Sequence, residues 1–203
     1  MLLFYNTLFL ILFAKFSHSF CAATPGIELF QKLRAEFGKL PIVAEDLGEM
    51  FDSVRRLLKK TGFPGMRVMQ FGFAPYWESE HLPHNYPVHC VAYPGTHDNT
   101  TVADWLQNGD PGEVLRATRY LGLNEKEVMV EGFLRGVLAS PAELVIVPMA
   151  DWMGLGAEGR INTPGVVGNG NWSWRCMPGS VSVTLARRVR EQCRMYGRAP
   201  FFE

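Results

Sequence analysis

Two short acidic clusters hold the side chains best suited to chemistry. Glu45 and Asp46 come directly after an apolar run, and Asp98 lies between His97 and Asn99 in a second polar run. A partly desolvated carboxylic acid can act as a general acid, and a carboxylate beside an imidazole and an amide can bind sugar hydroxyls. Glycoside chemistry uses two carboxylates in this way. The same residue types are also ordinary helix caps and turn residues, so the pattern alone leaves both interpretations open.

Histidines and tryptophans form two further groups. His81, His84 and His89 lie close together in one loop, which fits a metal site, a loop lining a sugar site or a plain surface loop. Trp172 and Trp174 are two positions apart, so their rings face the same side of an extended segment. They are either platforms for a ligand or core packing. The cysteines lack zinc-site spacing, and we interpret them as reduced thiols: Cys21, Cys90, Cys176 and Cys193.

Composition excludes several classes of partner. Lys plus Arg number 20 and Asp plus Glu number 20, which gives no net charge. A neutral chain has no broad electrostatic attraction for nucleic acid or an anionic membrane, so we expect neither as a partner. The 203 residues are 47% hydrophobic and can bury a core. The chain also has no phosphate-binding loop, dinucleotide fingerprint, GxSxG elbow or HExxH motif.

Helical and apolar patterns alternate along the chain. Helical spacing predicts helices over 27–37, 51–60, 102–107, 113–120, 125–140 and 181–196. Short apolar runs predict strands over 41–48, 66–73, 91–93 and 143–149, with loops over 74–90 and 151–170. In the last helix one apolar stripe is expected: Val181, Leu185, Val189 and Cys193. This order predicts an α/β protein with a parallel sheet and outer helices, in which the polar clusters after strands are the natural sites. Four strands are too few to close an eight-stranded barrel.

Six motifs in order resemble one enzyme family, the 4-α-glucanotransferases, also called amylomaltases or disproportionating enzymes. They are LPIVAEDLG (40–48), GFPGMRVMQFGF (62–73), LPHNY (82–86), GTHDN (95–99), GLGAEGRINTPG (154–165) and NWSWR (171–175). The resemblance covers roughly residues 25–198. It implies the C-terminal portion of a (β/α)8 TIM barrel of the α-amylase-like type.

The resemblance also implies an activity and its residues. Such enzymes transfer α-1,4-glucan segments between malto-oligosaccharides, retain anomeric configuration through a covalent glycosyl-enzyme, and need no metal or organic cofactor. Glu45 would be the general acid/base, and Asp98 would stabilise the transition state. The implied substrate-binding residues are His97, Asn162, Asp46 and Asn99. The expected ligands are malto-oligosaccharides or α-1,4-glucans derived from starch or glycogen.

Two departures from the family pattern stand out. Ala150 occupies a position where the family usually has Gln, which removes one polar group near the site. The family's nucleophile is an aspartate in a segment resembling RIDHFRG, some forty to fifty residues before the acid/base Glu, and no Asp precedes Asp46 here. We therefore expect that the N-terminal half of the barrel is missing and that this chain lacks the nucleophile. Because open sheet edges and apolar faces would then be uncovered, we expect the isolated chain to be aggregation-prone or to need a partner segment.

The amino-terminal residues differ from the rest. Residues 1–24 form an apolar leader that is signal-like, a buried element, or an artefact of the gene model. Residues 25–203 are interpreted as the C-terminal part of the catalytic barrel. The expected location is cytoplasmic, with a plastid as the alternative, and no membrane is involved unless the leader is real. The oligomeric state is left open.

Three functional hypotheses follow from these observations. The chain is part of a 4-α-glucanotransferase, a glucan-binding remnant without turnover, or a non-functional fragment. The retained Asp98, His97 and tryptophans favour the first two, and the absent nucleophile favours the last two.

Overall fold

A computed structural model describes residues 26–48, 50–75, 78–124, 126–168 and 170–199. The predicted leader over 1–24 lies outside these residues. The chain divides into two compact units, Met1–Met66 and Arg67–Glu203. Within the described ranges, no helix has both the length and the apolar character needed to cross a membrane.

The described part of the first unit, 26–48 and 50–66, contains two helices, α1 (Gly26–Phe37) and α2 (Asp52–Thr61). α1 buries Phe30, whose ring meets Phe63 edge-on with ring centroids 5.0 Å apart. α2 ends at Gly62, which takes a left-handed conformation that a glycine adopts without steric cost. Both helices confirm the periodicity predictions for 27–37 and 51–60.

The second unit is built around a small sheet with strand order β1-β2-β3. The strands are β1 (Gly65–Val68, which begins in the first unit), β2 (Cys90–Tyr93) and β3 (Leu144–Val145). β2 and β3 run parallel, with Val91 opposite Leu144 and Ala92 opposite Val145. All four residues of β2 are buried, as expected for a strand covered on both faces.

Five helices follow in the residues of the second unit that the structure describes. They are α3 (Val102–Asn108), α4 (Pro111–Leu121), α5 (Met129–Leu138), α6 (Met149–Trp152) and α7 (Val183–Met195). Short 3-10 turns cover Met69–Phe73, Pro83–Asn85 and Ala157–Gly159. Side-chain caps begin three helices, because Thr101, Asp110 and Ser182 accept backbone N–H bonds from α3, α4 and α7.

An aromatic cluster forms the centre of the core. The ring of Phe73 lies 5.9 Å from Trp105 and 6.0 Å from Phe133, measured between ring centroids. Helix α7 packs its apolar stripe against this core through Leu185, Val189 and Cys193. The predicted stripe is confirmed for these three residues, whereas Val181 precedes the helix and is exposed.

Three strand predictions need correction. No strand is assigned over 41–48, where Ala44 donates a backbone hydrogen bond to the Pro64 carbonyl. The run over 66–73 is a strand only to Val68 and then turns into a 3-10 helix that buries Phe73. The run over 143–149 yields the two residues of β3 before α6 begins after Pro148. Short buried apolar runs look alike in strands and helices, which explains the overextended strand predictions over 66–73 and 143–149.

Candidate active site

The loop that follows β2 is folded by its own side chains. The Asn99 Oδ1 accepts hydrogen bonds from the Thr96 backbone N–H at 3.0 Å and from the Thr96 hydroxyl at 2.9 Å. The Asp98 N–H donates to the same hydroxyl at 3.3 Å. A Cβ on Gly95 would lie 3.0 Å from the Gln70 amide nitrogen and 3.2 Å from the Asn99 Cβ, so a side chain at this position would press on both residues. Asn99 therefore supports the loop, in addition to any contact with substrate.

The Asp98 side chain is held by groups from two loops, its own loop after β2 and the loop that contains Asn162. Its Oδ1 accepts a hydrogen bond from the Asn162 side-chain amide at 2.6 Å and lies 3.3 Å from the His97 Nε2. The Asp98 side chain is 40% exposed, and none of the described residues engages its Oδ2. This leaves one carboxylate oxygen available to a ligand, while the other is fixed by an amide and an imidazole.

Arg160 locks the two loops together. Its Nη2 donates to the Asp98 backbone carbonyl at 2.9 Å, and its Nε donates to the Asn162 carbonyl at 2.8 Å. The Asn162 backbone N–H in turn donates to the His97 carbonyl at 3.1 Å. The structure thus brings together three predicted site residues, His97, Asp98 and Asn162, although they come from distant motifs.

A cavity of about 350 Å³ opens beside Asp98. Besides Asn99 it is lined by Gln70, Phe71, Ala74, Asp98, Thr100, Trp105, Glu113 and Arg160. Gln70 is buried and its amide donates to the Thr100 carbonyl at 3.0 Å, so this wall is anchored. An aromatic and polar lining of this kind suits a small polar ligand with apolar faces.

Helix α3 starts directly after the loop that carries Asp98, and a buried acid accepts a hydrogen bond from its first residue. The Val102 N–H donates to the Asp151 Oδ1 at 2.7 Å. Asp151 is almost fully buried, and burial raises its pKa to about 6 despite that hydrogen bond. The preceding Thr101 hydroxyl donates to the Gly156 carbonyl at 3.1 Å. Ala150, the departure from the family pattern, is buried on α6 beside Asp151.

Glu45 and Asp46 belong to the first unit. Asp46 is buried, and its Oδ1 accepts the Met66 N–H at 2.6 Å. A Cβ on Gly65 would lie 2.3 Å from the other Asp46 oxygen, so glycine is needed there as well. The carboxylate of Asp46 therefore fixes the start of β1. Glu45 is half-buried between Ala44 and Asp46, two residues that are both tied to the Pro64–Met66 segment.

The three loop histidines point to separate partners. His81 accepts the Val68 N–H at 3.2 Å through its Nδ1. His84 pairs with the Tyr120 hydroxyl at 2.8 Å, and His89 with Glu143 at 2.9 Å. Across the described ranges, no group of three or more His, Cys, Asp or Glu side chains could hold a metal ion. The metal interpretation of these histidines therefore has no geometric support.

Sequence reasoning missed three residues that build the site. Arg160 joins the loops, Gln70 anchors the cavity wall, and Asp151 caps α3. Arg160 and Gln70 lie inside motifs that the sequence already singled out. Their roles are set by partners 30 or more residues away, which spacing along the chain does not reveal.

A carboxylate on the loop after a buried parallel strand, clamped beside a cavity, defines an α/β protein with a site at the carboxyl end of its sheet. Residues 15–181 match the family described as 4-alpha-glucanotransferase. The chain belongs to this family.

Individual relatives agree with this membership. The chain is 41% identical over 175 residues to the 4-alpha-glucanotransferase of Clostridium butyricum, covering 86% of this chain and 36% of the relative. It is 39% identical over 178 residues to the chloroplastic/amyloplastic 4-alpha-glucanotransferase of Arabidopsis thaliana, covering 86% and 31%. The amylomaltase of Streptococcus agalactiae, solved in complex with acarbose, superposes with a TM-score of 0.82 at 36% identity, covering 87% and 36%.

These matches support the TIM-barrel-like fold class and confirm the family resemblance. The chain spans about a third of the length of the relatives it matches. The part of this fold that the described residues form is the small sheet with its surrounding helices.

Proposed function

We propose that this chain is the C-terminal part of a 4-α-glucanotransferase barrel and binds α-1,4-glucans beside Asp98. The observation that carries the proposal is that neighbouring side chains fix the orientation of the Asp98 carboxylate. One of its oxygens is fixed by Asn162 and His97, and Asp98 lines a cavity of about 350 Å³. Membership in the family supplies the chemistry that such a carboxylate would serve.

In this proposal Asp98 grips ring hydroxyls of a distorted sugar and stabilises the oxocarbenium-like transition state. The fixed orientation of the Asp98 carboxylate matters because a group that is already oriented does not have to reorganise when positive charge develops on the sugar. His97 and Asn162 contact sugar hydroxyls and keep the carboxylate in place. Asn99 supports the loop that carries Asp98, and Asp46 fixes the start of β1. Contacts of both side chains with sugar remain part of the proposal.

Glu45 is proposed as the general acid/base. It would protonate the departing glycosidic oxygen and then take a proton from the 4-hydroxyl of the acceptor glucan. No Asp precedes Asp46 in the sequence, so we infer that the chain lacks the aspartate that the family uses as its nucleophile. Transfer by double displacement would need a nucleophile from outside this sequence.

This absence favours a second candidate function, glucan binding without turnover. The two candidates differ in the products made from maltotriose. Sequencing the transcript upstream of Met1 tells whether the reading frame continues into an RIDHFRG-like segment. In a protein extended in that way, we expect Glu45→Gln to abolish transfer, and retained transfer would contradict the proposed role of Glu45.

Binding is tested on the 203-residue chain by titration calorimetry with maltoheptaose. Asp98→Asn removes the negative charge and keeps the shape, and we expect at least a tenfold weaker affinity, since hydrogen bonds to charged groups contribute about 1.5–3 kcal/mol. Asp110→Asn is the matched control, because Asn also caps a helix and Asp110 lies outside the cavity lining. Equal affinity for the wild type and Asp98→Asn would refute the proposed site.

The proposed ligands are malto-oligosaccharides or α-1,4-glucans from starch or glycogen. The proposed location stays cytoplasmic, with a plastid as the alternative.

A further inference from the structure

Trp172 has a backbone conformation that its residue type rarely adopts. Its φ is 62°, the only positive value among the described residues other than glycine. A bulky side chain in this left-handed region is strained, so the surrounding structure must hold it there. Such strain is found at sites where a side chain has to be presented in one direction.

The strain is maintained by a network of hydrogen bonds. The Trp172 N–H donates to the Ile161 carbonyl at 2.8 Å. The neighbouring Asn171 side chain accepts from the Thr163 N–H at 3.0 Å and donates to the Val166 carbonyl at 2.9 Å. Trp172 is therefore fastened to the same loop that carries Asn162.

The network does not bury the indole ring. Trp172 is 65% exposed, which argues against a role in core packing. The ring nevertheless has a defined position, because it lies against the His97 imidazole with ring centroids 4.9 Å apart. His97 in turn lies 3.3 Å from the Asp98 carboxylate. An exposed, rigidly held aromatic face thus lies one side chain away from the proposed sugar-binding carboxylate.

We infer that Trp172 is a stacking platform for a pyranose ring of the glucan, next to the ring that Asp98 binds. The inference rests on the proposed function and adds a specificity-determining residue to it. The C–H groups on one face of a glucose ring carry partial positive charge and match the negative face of an indole. Its hydroxyls meanwhile stay in water at the ring edge, so an exposed tryptophan suits this ligand.

Trp172→Gly tests the platform without disturbing the backbone. Glycine adopts a φ of 62° without strain, so removing the ring should leave the urea unfolding midpoint unchanged or higher. Affinity for maltoheptaose, measured by calorimetry, should fall about three- to tenfold. Met177→Ala is the matched control, since Met177 is also 65% exposed and also precedes α7 in the chain. Its affinity should equal that of the wild type.

Quenching of tryptophan fluorescence by iodide gives a second readout on the ring itself. Saturating maltoheptaose should shield one exposed indole in the wild type, and this shielding should be absent in Trp172→Phe. This readout compares the wild type with Trp172→Phe, so it tests the stacking of Trp172 on sugar even if Trp172→Gly unfolds.

The outcomes separate this inference from the proposed function. Weaker binding in both Asp98→Asn and Trp172→Gly supports both. Weaker binding in Asp98→Asn alone, with no sugar-dependent shielding, overturns the platform and leaves the Asp98 site standing. Loss of stability in Trp172→Gly with unchanged affinity shows that the ring packs against protein and also overturns the platform. Absence of any maltoheptaose binding by the wild type refutes the proposed function, and the platform falls with it.

Discussion

The buried Asp151 should make the chain less stable as the pH rises. Burial raises the pKa of this carboxyl from 3.8 to about 6, against the opposing effect of the Val102 hydrogen bond. The folded state therefore binds the proton more tightly than the unfolded state does. The stabilisation is complete below pH 3.8 and is lost as the pH rises through 6.

The size of the effect follows from the shift in pKa. At about 1.36 kcal/mol for each unit, ionising Asp151 in the folded state costs about 3 kcal/mol. About 2 kcal/mol of this cost falls between roughly pH 4.5 and 7.5, because the unfolded carboxyl is already mostly ionised at the lower value. Asp151→Asn has no charge at any pH, and its amide oxygen can still accept the Val102 N–H.

Urea unfolding followed by tryptophan fluorescence measures this difference. All five tryptophans lie in 67–203, so the fluorescence reports the unit that contains Asp151. The free energy of unfolding of Asp151→Asn, relative to the wild type, should rise by about 2 kcal/mol between roughly pH 4.5 and 7.5. Comparing the variant with the wild type at each pH cancels the titration of all other groups.

Asp104→Asn provides the control on α3, the helix whose first N–H group Asp151 accepts. Hydrogen bonds from Thr100 and then Asn108 lower the pKa of Asp104, so its stabilisation is lost only as the pH falls below 3.8. The Asp104→Asn difference should therefore stay constant over the same pH range. A constant difference for Asp151→Asn as well would refute the assignment of a costly buried charge at α3.

Two further predictions concern the loops around Asp98. Gly95→Ala should destabilise the second unit by about 1–3 kcal/mol in urea unfolding, because the new methyl group would press on Gln70 and Asn99; Gly48→Ala, which meets no neighbouring atoms, should stay within about 0.5 kcal/mol of the wild type. Asn162→Ala should weaken maltoheptaose binding about tenfold in calorimetry, because Asp98 loses its amide donor. Asn108→Ala removes a comparable amide–carboxylate bond outside the cavity lining and should leave affinity unchanged, so equal losses in both would argue against a specific role for Asn162.

The elements that sequence predicted well are those with a long, regular apolar period. Helices α1, α2 and α7 repeat apolar residues over at least ten positions, so their local spacing is decisive. Strand predictions were correct for Cys90–Tyr93 and wrong or too long elsewhere. A run of four to seven apolar residues only shows burial, and the packing of its neighbours decides its conformation.

Sequence by itself determined which groups are available for chemistry. It identified the carboxylates of Glu45 and Asp98 as candidate catalytic groups, and its motif order indicated the family to which the chain belongs. It also located the polar turn that Asp98 occupies. These properties depend on residue type and local spacing, which the chain carries before it folds.

Only the tertiary structure decided which groups act on one another. It joined Asp98 to Asn162, 64 positions away, and set Trp172 against His97. It also set the Asp46 carboxylate against the Met66 N–H, 20 positions along the chain. Such pairs form because packing brings distant loops within hydrogen-bonding range, and no local periodicity encodes those distances.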